Sequence, residues 1–489
     1  MPNLAGGRLA LAGFGAFAVV AAIVRIAYFQ SPMAGDVTQF LYVGETVGNG
    51  GMPYADAAFN KGPLTALLFA VIDPIVGTSP TAVHLTVIPF VALGALALAA
   101  YVTHHVDRWA GALAGLAFAA FSGINDVEGG SAKTEQFGVA PVFGALWCAT
   151  RQGIAGPAGA GALLACAILI NPSLGVAIPA VLVELWLGTP PGQRARRYGA
   201  MAAAAAAAVL PVFAWLAVGG ALDDMFVQVG GKVVSTVGAV PRYGMALAVV
   251  RPGRFHLPAA GLWAVAFVGC AVAFRDPRLR RPALALALVI GVVALRMKIA
   301  AYEFGYEYYP ALPAICGAIA LGVAAVWPSR PLERAAVAAL VFTFPLWTLA
   351  VNPQLELLAR DPNARDAYAA SVYPVASFIR AHTIPTDPIM VAGGRAEVYW
   401  VAERRAPTRF FDVFAIRDHG AYAAERRRDL SRHPPAALVF MKTELLSYDR
   451  DLQRLALSGA YTKAFSRDGS SVWLRRGLDR TPAGVPPGP

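Results

Sequence analysis

The sequence predicts a polytopic α-helical membrane protein of about 11 transmembrane helices, with an extracytoplasmic α/β domain at its C-terminal end. Of its 489 residues, 57% are hydrophobic and only 15% are charged, and the mean hydropathy is +0.53. Soluble domains average about a quarter charged residues. Apolar runs of about 20 residues, the length that crosses a bilayer, recur up to Val351, after which the chain becomes polar. These observations exclude an ordinary soluble protein.

The loops between the apolar runs alternate in charge. The runs lie near residues 9–29, 82–103, 109–126, 136–150, 154–170, 173–188, 199–219, 258–274, 283–301, 309–327 and 335–352. Basic loops lie at residues 104–108, 151, 194–197, 275–281 and 330–334. The positive-inside rule places these loops in the cytoplasm. The net charge of +11 therefore reflects membrane orientation, and we expect no binding of nucleic acid.

Charge alternation also decides the position of the short apolar segment Pro63–Gly77, which contains Asp73-Pro74. If this segment crossed the membrane, the later basic loops would face outward. We therefore predict an interfacial or re-entrant helix within a first outer loop, residues 30–81. The N-terminus then lies inside, and the chain divides into a membrane domain, residues 1–352, and an outer domain, residues 353–489.

The outer domain shows strand and helix patterns. Short apolar stretches predict buried strands at Pro388–Ala392 and Ala436–Met441. Residues 461–466 and 471–475 flank Asp468-Gly469 and predict a hairpin. Helices are predicted at residues 364–381 and 422–432, and the Pro/Gly-rich tail from Thr481 is predicted to be disordered. Gly393-Gly394 favours a tight turn over a phosphate-binding loop.

Asp36 is the candidate catalytic base, because it lies shortly after the first apolar run. A carboxylate at the membrane edge can meet a polar substrate, and partial desolvation makes a carboxylate a better base. The alternative is a structural role, since Asp36 precedes a predicted short helix and Asp is a good N-cap.

The first outer loop resembles that of the GT-C glycosyltransferases. In that family an Asp after the first span is followed by a short helix, a G-x-P-Y-x-D step and a K-x-P-L step; here these are Asp36, Gly51–Asp56 and Lys61–Leu64. The bacterial dolichyl-phosphate-mannose–protein mannosyltransferase-like group, which includes the lipid A aminoarabinose transferase, is the most similar. The resemblance implies an inverting transfer of a sugar from a polyprenyl-phosphate donor, with Asp36 as general base.

The second outer loop, which ends in Gly130-Ser131-Ala132-Lys133-Thr134-Glu135, resembles the family's second acidic site. The resemblance makes Glu135 the first and Glu128 the second candidate for a catalytic carboxylate near Asp36. A charged loop without a catalytic role is the alternative.

Four basic residues are candidates to bind the donor phosphate: Lys61, Arg251, Arg254 and His256. Lys61 matches the Lys of the family's K-x-P-L step. The other three form an outer basic loop against the positive-inside trend, which either a donor phosphate or anionic lipid headgroups would explain.

Candidate substrate contacts are Tyr54, Asp56 and Tyr306. The stretch around Tyr306 departs from the R-Y-x-x-P pattern of related enzymes, because it carries Glu303 and Glu307 where an Arg or His is usual. Its aromatic residues could instead form an interfacial belt.

The expected partners are a polyprenyl-phosphate-linked sugar donor, a lipid, glycan or protein acceptor, and the lipid bilayer. The expected location is the bacterial inner membrane, with the active site and outer domain on the periplasmic side. A divalent cation held by Asp36 and Glu135 is the one cofactor that the sequence leaves open. The alternatives are a secondary transporter or lipid flippase, or a glycan polymerase or ligase with a polyprenyl-diphosphate donor.

Overall fold

The computed structural model describes residues 4–29, 33, 35–124, 127–237, 257–299, 305–326, 362–412, 420–441 and 449–478. Up to residue 326 the described chain is helical. Its helices are α1 Leu4–Ile23, α2 Gly35–Gly48, α3 Pro63–Val76, α4 Pro80–Leu85, α5 Val87–His105, α6 Arg108–Phe121, α7 Thr134–Ala149, α8 Ala155–Ile170, α9 Ile178–Leu187, α10 Arg194–Val218, α11 Leu222–Val237, α12 Leu257–Arg275, α13 Arg280–Ile299 and α14 Ala311–Ala325.

Every apolar run predicted up to residue 327 contains helix, and the last run, residues 335–352, lies outside the described residues. Within the described chain, Pro80–His105 and Pro191–Val218 are the two helical stretches long and apolar enough to cross a membrane, and the other apolar helices there are shorter. The number of spans therefore stays a prediction. Helix α11 was not predicted from the sequence.

The first outer loop folds into two helices that pack against each other, α2 and α3. Phe40 of α2 contacts Phe69 of α3 edge to face, with ring centroids 5.4 Å apart. Pro63 begins α3, where its missing N–H leaves no donor unsatisfied. The segment from Pro63 is thus helical, as predicted, and α3 also packs against α8.

Residues after 361 form a four-stranded sheet with flanking helices. The elements are α15 Pro362–His382, β1 Ile389–Val391, α16 Ala396–Ala402, α17 Gly420–Arg432, β2 Ala437–Phe440, α18 Arg450–Leu457, β3 Tyr461–Arg467 and β4 Ser470–Arg475. The strand order is β1-β2-β4-β3, with β1 parallel to β2 and the other pairs antiparallel. The strands, the hairpin and helices α15 and α17 are confirmed, whereas α16 and α18 were not predicted. The tail from Thr481 lies outside the described residues.

This sheet region packs directly on α2. The ring of Tyr42 stacks on that of Phe411, with centroids 4.0 Å apart. Arg405 forms an ion pair with Glu45 at 3.0 Å and donates to the carbonyl of Tyr42 at 3.1 Å. Helix α2 therefore lies between the helical part of the chain and the sheet region, and it packs on both.

Gly62 brings the chain into backbone contact with the end of α8. Its N–H donates to the carbonyl of Ile170 at 3.1 Å, and the Thr65 hydroxyl donates to the same oxygen at 2.7 Å. A Cβ at residue 62 would lie 2.0 Å from the carbonyl oxygen of Leu169. The glycine of the Lys61–Leu64 step is therefore required by this close approach.

We expect Gly62→Ala to lower the free energy of unfolding by about 1–3 kcal/mol, because backbone atoms must move to admit the methyl group. Gly192→Ala is the matched control, since a Cβ there meets nothing within 4 Å. The melting temperatures of both variants in detergent test this. Equal melting temperatures would contradict the close approach.

Candidate active site

Side chains from four segments meet in one cluster, called here the outer-loop cluster. Asp36 comes from the first turn of α2, and Lys61 directly precedes Gly62 at the start of α3. Lys133 precedes α7, and Tyr306 lies in the 3₁₀ turn Gly305–Tyr308 before α14. These residues are far apart in sequence, so the fold alone brings them together.

Lys133 links the two outer loops. Its Nζ donates to Asp36 Oδ2 at 2.9 Å and lies 3.4 Å from Glu128 Oε2. The ammonium also lies 4.3 Å from the centroid of the Tyr306 ring. Burial lowers the pKa of Lys133, but the carboxylates of Asp36 and Glu128 outweigh it and raise the pKa above its usual value. Lys133 therefore stays charged at neutral pH.

Lys61 is the second buried ammonium of the cluster. It lies 3.7 Å from Glu135 Oε1, and 5.4 Å from the centroid of the Tyr306 ring. Asn171 donates to Glu135 Oε1 at 2.7 Å, and the Thr134 hydroxyl donates to Glu135 Oε2 at 3.1 Å. These partners hold Glu135 in a position where it orients Lys61.

Exposure separates the three candidate carboxylates. The side chain of Glu135 is 1% exposed, whereas those of Asp36 and Glu128 are 35% and 37% exposed. A base must reach an acceptor from solvent or from the lipid surface, so Asp36 and Glu128 are accessible and Glu135 is not. The alternative role of Asp36 was that of an N-cap, which is the residue before the first helical residue. In the structure Asp36 is instead the second residue of α2.

Tyr54 and Asp56 shape the loop that leads to Lys61. Tyr54 is fully buried, and its hydroxyl donates to the carbonyl of Lys61 at 2.7 Å. Its φ of 70° lies in the left-handed region, which is strained for a tyrosine. Asp56 is exposed and accepts from the N–H of Met52 at 2.7 Å. Tyr54 therefore positions Lys61, and Asp56 closes the turn that contains Tyr54.

Tyr306 lies within reach of both lysines and is 5% exposed. Burial raises the pKa of its hydroxyl, and the carboxylates of Asp36 and Glu135 raise it further. The hydroxyl therefore stays protonated and able to donate. The next residue, Glu307, forms an ion pair with Arg296 at 3.1 Å, so Lys61 and Lys133 are the cations nearest the Tyr306 ring among the described residues.

The residues of the cluster do not fit a divalent cation. Asp36 and Glu135, the two carboxylates that the sequence left open for one, each have a lysine ammonium within 3.7 Å. In the part of the chain that the structure describes, no three His, Cys, Asp or Glu side chains form a group suited to a metal. A metal ion would have to displace an ammonium.

Two residues at the site were not predicted from the sequence: Lys133 of the cluster, and Asn171, which donates to Glu135. The resemblance to the GT-C family favours Glu135 rather than Lys133, and the side chain of Asn171 is uncharged. The one sequence feature that could have indicated Asn171 is its position, as a polar residue directly after the apolar run of α8. Arg251, Arg254 and His256 lie outside the described residues.

We expect Asn171→Ala to lower the free energy of unfolding by about 1–3 kcal/mol, because it removes a donor to the buried Glu135 carboxylate. Ser173→Ala is the matched control, since its hydroxyl has no hydrogen-bond partner among the described residues. Thermal unfolding of the two variants tests this. An unchanged Asn171→Ala melting temperature would mean that Glu135 does not depend on Asn171.

Searches with the sequence find no matching family model and no similar curated protein. Solved structures are similar in fold. ArnT from Cupriavidus metallidurans bound to undecaprenyl phosphate matches with a TM-score of 0.62 and 16% identity, over 94% of this chain and 98% of that chain. The archaeal oligosaccharyltransferase AglB from Archaeoglobus fulgidus, in complex with an inhibitory peptide and a dolichol-phosphate, matches with a TM-score of 0.52 and 12% identity, over 96% of this chain and 75% of that chain.

Both of these proteins are GT-C glycosyltransferases. The apo state of the first has the same TM-score, 0.62, so the match does not depend on the bound lipid. The similarity covers nearly the whole chain, including both the helices and the sheet region. The chain therefore has the GT-C fold, which the residues of its first outer loop predicted.

Proposed function

We propose that this protein is a membrane glycosyltransferase that moves a sugar from a polyprenyl-phosphate donor to a lipid, glycan or protein acceptor. The observation that carries the proposal is the outer-loop cluster. It places the partly exposed carboxylate of Asp36 beside the buried ammonium of Lys133. The buried ammonium of Lys61 lies near the same Tyr306 ring that Lys133 contacts. A base next to cations is what a transfer away from a phosphate leaving group requires.

The acceptor is activated by Asp36. An acceptor hydroxyl or amine attacks the anomeric carbon of the sugar and passes its proton to the carboxylate. The Lys133 ammonium, 2.9 Å from Asp36 Oδ2, holds this carboxylate in position for the proton transfer. Attack from the face opposite the phosphate inverts the anomeric configuration.

The leaving group is the polyprenyl phosphate. As the bond between the anomeric carbon and the phosphate oxygen breaks, the electron pair stays on that oxygen and the phosphate gains negative charge. Lys61 and the protonated hydroxyl of Tyr306 are the described groups that stabilise this charge. Arg251, Arg254 and His256 are proposed as further phosphate contacts. Support comes from the fold, since ArnT holds undecaprenyl phosphate in a similar structure.

The location that fits this function is the inner membrane of a bacterium, with the cluster on the periplasmic side. The support is the loop charge pattern of the sequence, in which the segments that carry Asp36, Glu128 and Tyr306 lie opposite the basic loops.

We expect Asp36→Asn to lower the transfer rate about 10²–10⁴-fold, the usual effect of losing a positioned base. The control is Asp107→Asn. Asp107 caps α6 by accepting from the N–H groups of Trp109 and Ala110, both at 2.9 Å, and Asn caps a helix about as well as Asp. Transfer of radiolabelled sugar in reconstituted vesicles is the measurement.

The same assay ranks the other carboxylates. If Asp36→Asn folds, binds carrier lipid and still transfers sugar at the wild-type rate, Asp36 is not the base. Glu128 is then the next candidate, because its side chain is exposed, ahead of the buried Glu135.

We expect Lys61→Met to weaken binding of undecaprenyl phosphate about 10- to 100-fold, since a hydrogen bond to a charged group contributes about 1.5–3 kcal/mol. Lys463→Met, an exposed lysine on β3, is the matched control. Binding is measured by native mass spectrometry or microscale thermophoresis with the purified protein. Unchanged binding in Lys61→Met and in Arg251→Ala/Arg254→Ala would place the phosphate elsewhere.

A further inference from the structure

Lys133 occupies the space between the two accessible carboxylates of the outer-loop cluster. Its Nζ lies 2.9 Å from Asp36 Oδ2 and 3.4 Å from Glu128 Oε2, and its side chain is 6% exposed. An ammonium has three N–H donors. One is donated to Asp36, Glu128 lies within ion-pair distance, and the ring of Tyr306, with its centroid 4.3 Å from Nζ, offers a π face as a further partner.

A strained turn brings Glu128 to Lys133. Glu128 has a φ of 49°, in the left-handed region that side chains disfavour. Its carbonyl accepts three hydrogen bonds: from the N–H of Ser131 at 3.0 Å, the hydroxyl of Ser131 at 2.8 Å and the side-chain amide of Gln136 at 2.9 Å. The surrounding chain therefore keeps Glu128 in a costly conformation that places its carboxylate against the ammonium.

The geometry resembles a cation site. Two carboxylates from different loops converge on one positive charge, as they would on Mg²⁺, which binds oxygen ligands at about 2.0–2.1 Å, or on Mn²⁺, which also prefers carboxylate ligands. Here the positive charge is covalently part of the chain. Lys61 and Glu135 form a second, separate pair at 3.7 Å, so Glu135 is not available as a third ligand.

We propose that Lys133 takes the place of a divalent metal ion in this site. It neutralises the facing carboxylates and fixes the position of Asp36. This inference rests on the proposed glycosyl transfer for its role in turnover. It has two consequences: the wild-type protein transfers sugar without a divalent cation, and loss of the Lys133 charge leaves Asp36 and Glu128 as a pair that binds one.

The test uses the purified full-length protein in detergent and MnCl₂ as the probe. Bound Mn²⁺ is measured from the loss of the free-ion signal in electron paramagnetic resonance. Lys133→Met removes the charge and keeps a side chain of similar length, and Lys133→Arg keeps the charge. Lys463→Met on the exposed face of β3 is the matched control.

We expect Lys133→Met to bind Mn²⁺ at least tenfold more tightly than wild type, and this gain to vanish when Asp36→Asn and Glu128→Gln are added. Lys133→Arg and Lys463→Met should bind as wild type does. A folded Lys133→Met protein, judged by size-exclusion profile and melting temperature, that gains no Mn²⁺ binding overturns the proposal.

A second set of measurements uses the wild-type protein and does not depend on whether Lys133→Met folds. The wild-type Mn²⁺ titration should coincide with that of Asp36→Asn; Mn²⁺ binding that Asp36→Asn abolishes overturns the proposal. Transfer by wild type should be equal in EDTA and in MnCl₂, and a loss in EDTA that Mn²⁺ restores also overturns it.

Failure of the proposed function gives a different result. In that case wild type transfers no sugar and binds no undecaprenyl phosphate, while the Mn²⁺ titrations of Lys133→Met and wild type still differ as expected. The metal-replacement role of Lys133 is then supported for whatever reaction the cluster performs.

Discussion

The ion pair between Lys133 and Asp36, at 2.9 Å, is the interaction on which the arrangement of the site depends. A buried ammonium is destabilising unless carboxylates or hydrogen bonds compensate the loss of water. Because Lys133 lies on the loop before α7 and its partner lies on α2, this requirement fastens the first outer loop to the second. The exposed part of Asp36 then faces outward from a rigid position rather than from a mobile loop.

A buried charge is also compensated by its partners at the predicted cytoplasmic end of the helices. Glu184 is fully buried and contacts Arg281 at 2.6 Å, His105 at 3.2 Å and the hydroxyl of Tyr101 at 2.9 Å. This group joins α5, α9 and α13. Its partners surround it within the protein, whereas Asp36 keeps a third of its side chain exposed. That difference in exposure is the physical reason to assign chemistry to one cluster and stability to the other.

Contacts with the sheet region hold the loop that carries Lys61. Arg409 forms ion pairs with Asp224 of α11 at 2.6 Å and with Glu425 of α17 at 2.8 Å, and it donates to the carbonyl of Tyr54 at 3.1 Å. Tyr54 in turn donates to the carbonyl of Lys61. A chain of contacts therefore runs from the surface of the sheet region to the proposed phosphate site, which gives that region a part in positioning the site.

Hydrophobic periodicity and turn residues predicted most of the described helices and strands, though not α11, α16 and α18. Helices follow from long apolar runs, the hairpin from Asp468-Gly469, and the buried strands from short apolar stretches bounded by polar residues. The position of Asp36 after the first run, together with the Gly51–Asp56 and Lys61–Leu64 steps, was also sufficient to predict the GT-C fold. These signals are local, so the sequence contains them without reference to distant contacts.

The partners of each charged side chain were decided by the tertiary structure alone. Glu135 was the preferred second carboxylate by sequence, yet it is buried behind Lys61, and Lys133 beside it proved to be the residue that contacts Asp36. Lys133 precedes α7, whereas Glu135 lies within its first turn. The two side chains therefore have different partners, Asp36 for Lys133 and Lys61 for Glu135. The ion pair of Lys133 and Asp36 joins loops that are 97 residues apart in sequence. A local sequence pattern therefore does not predict which lysine will contact which carboxylate.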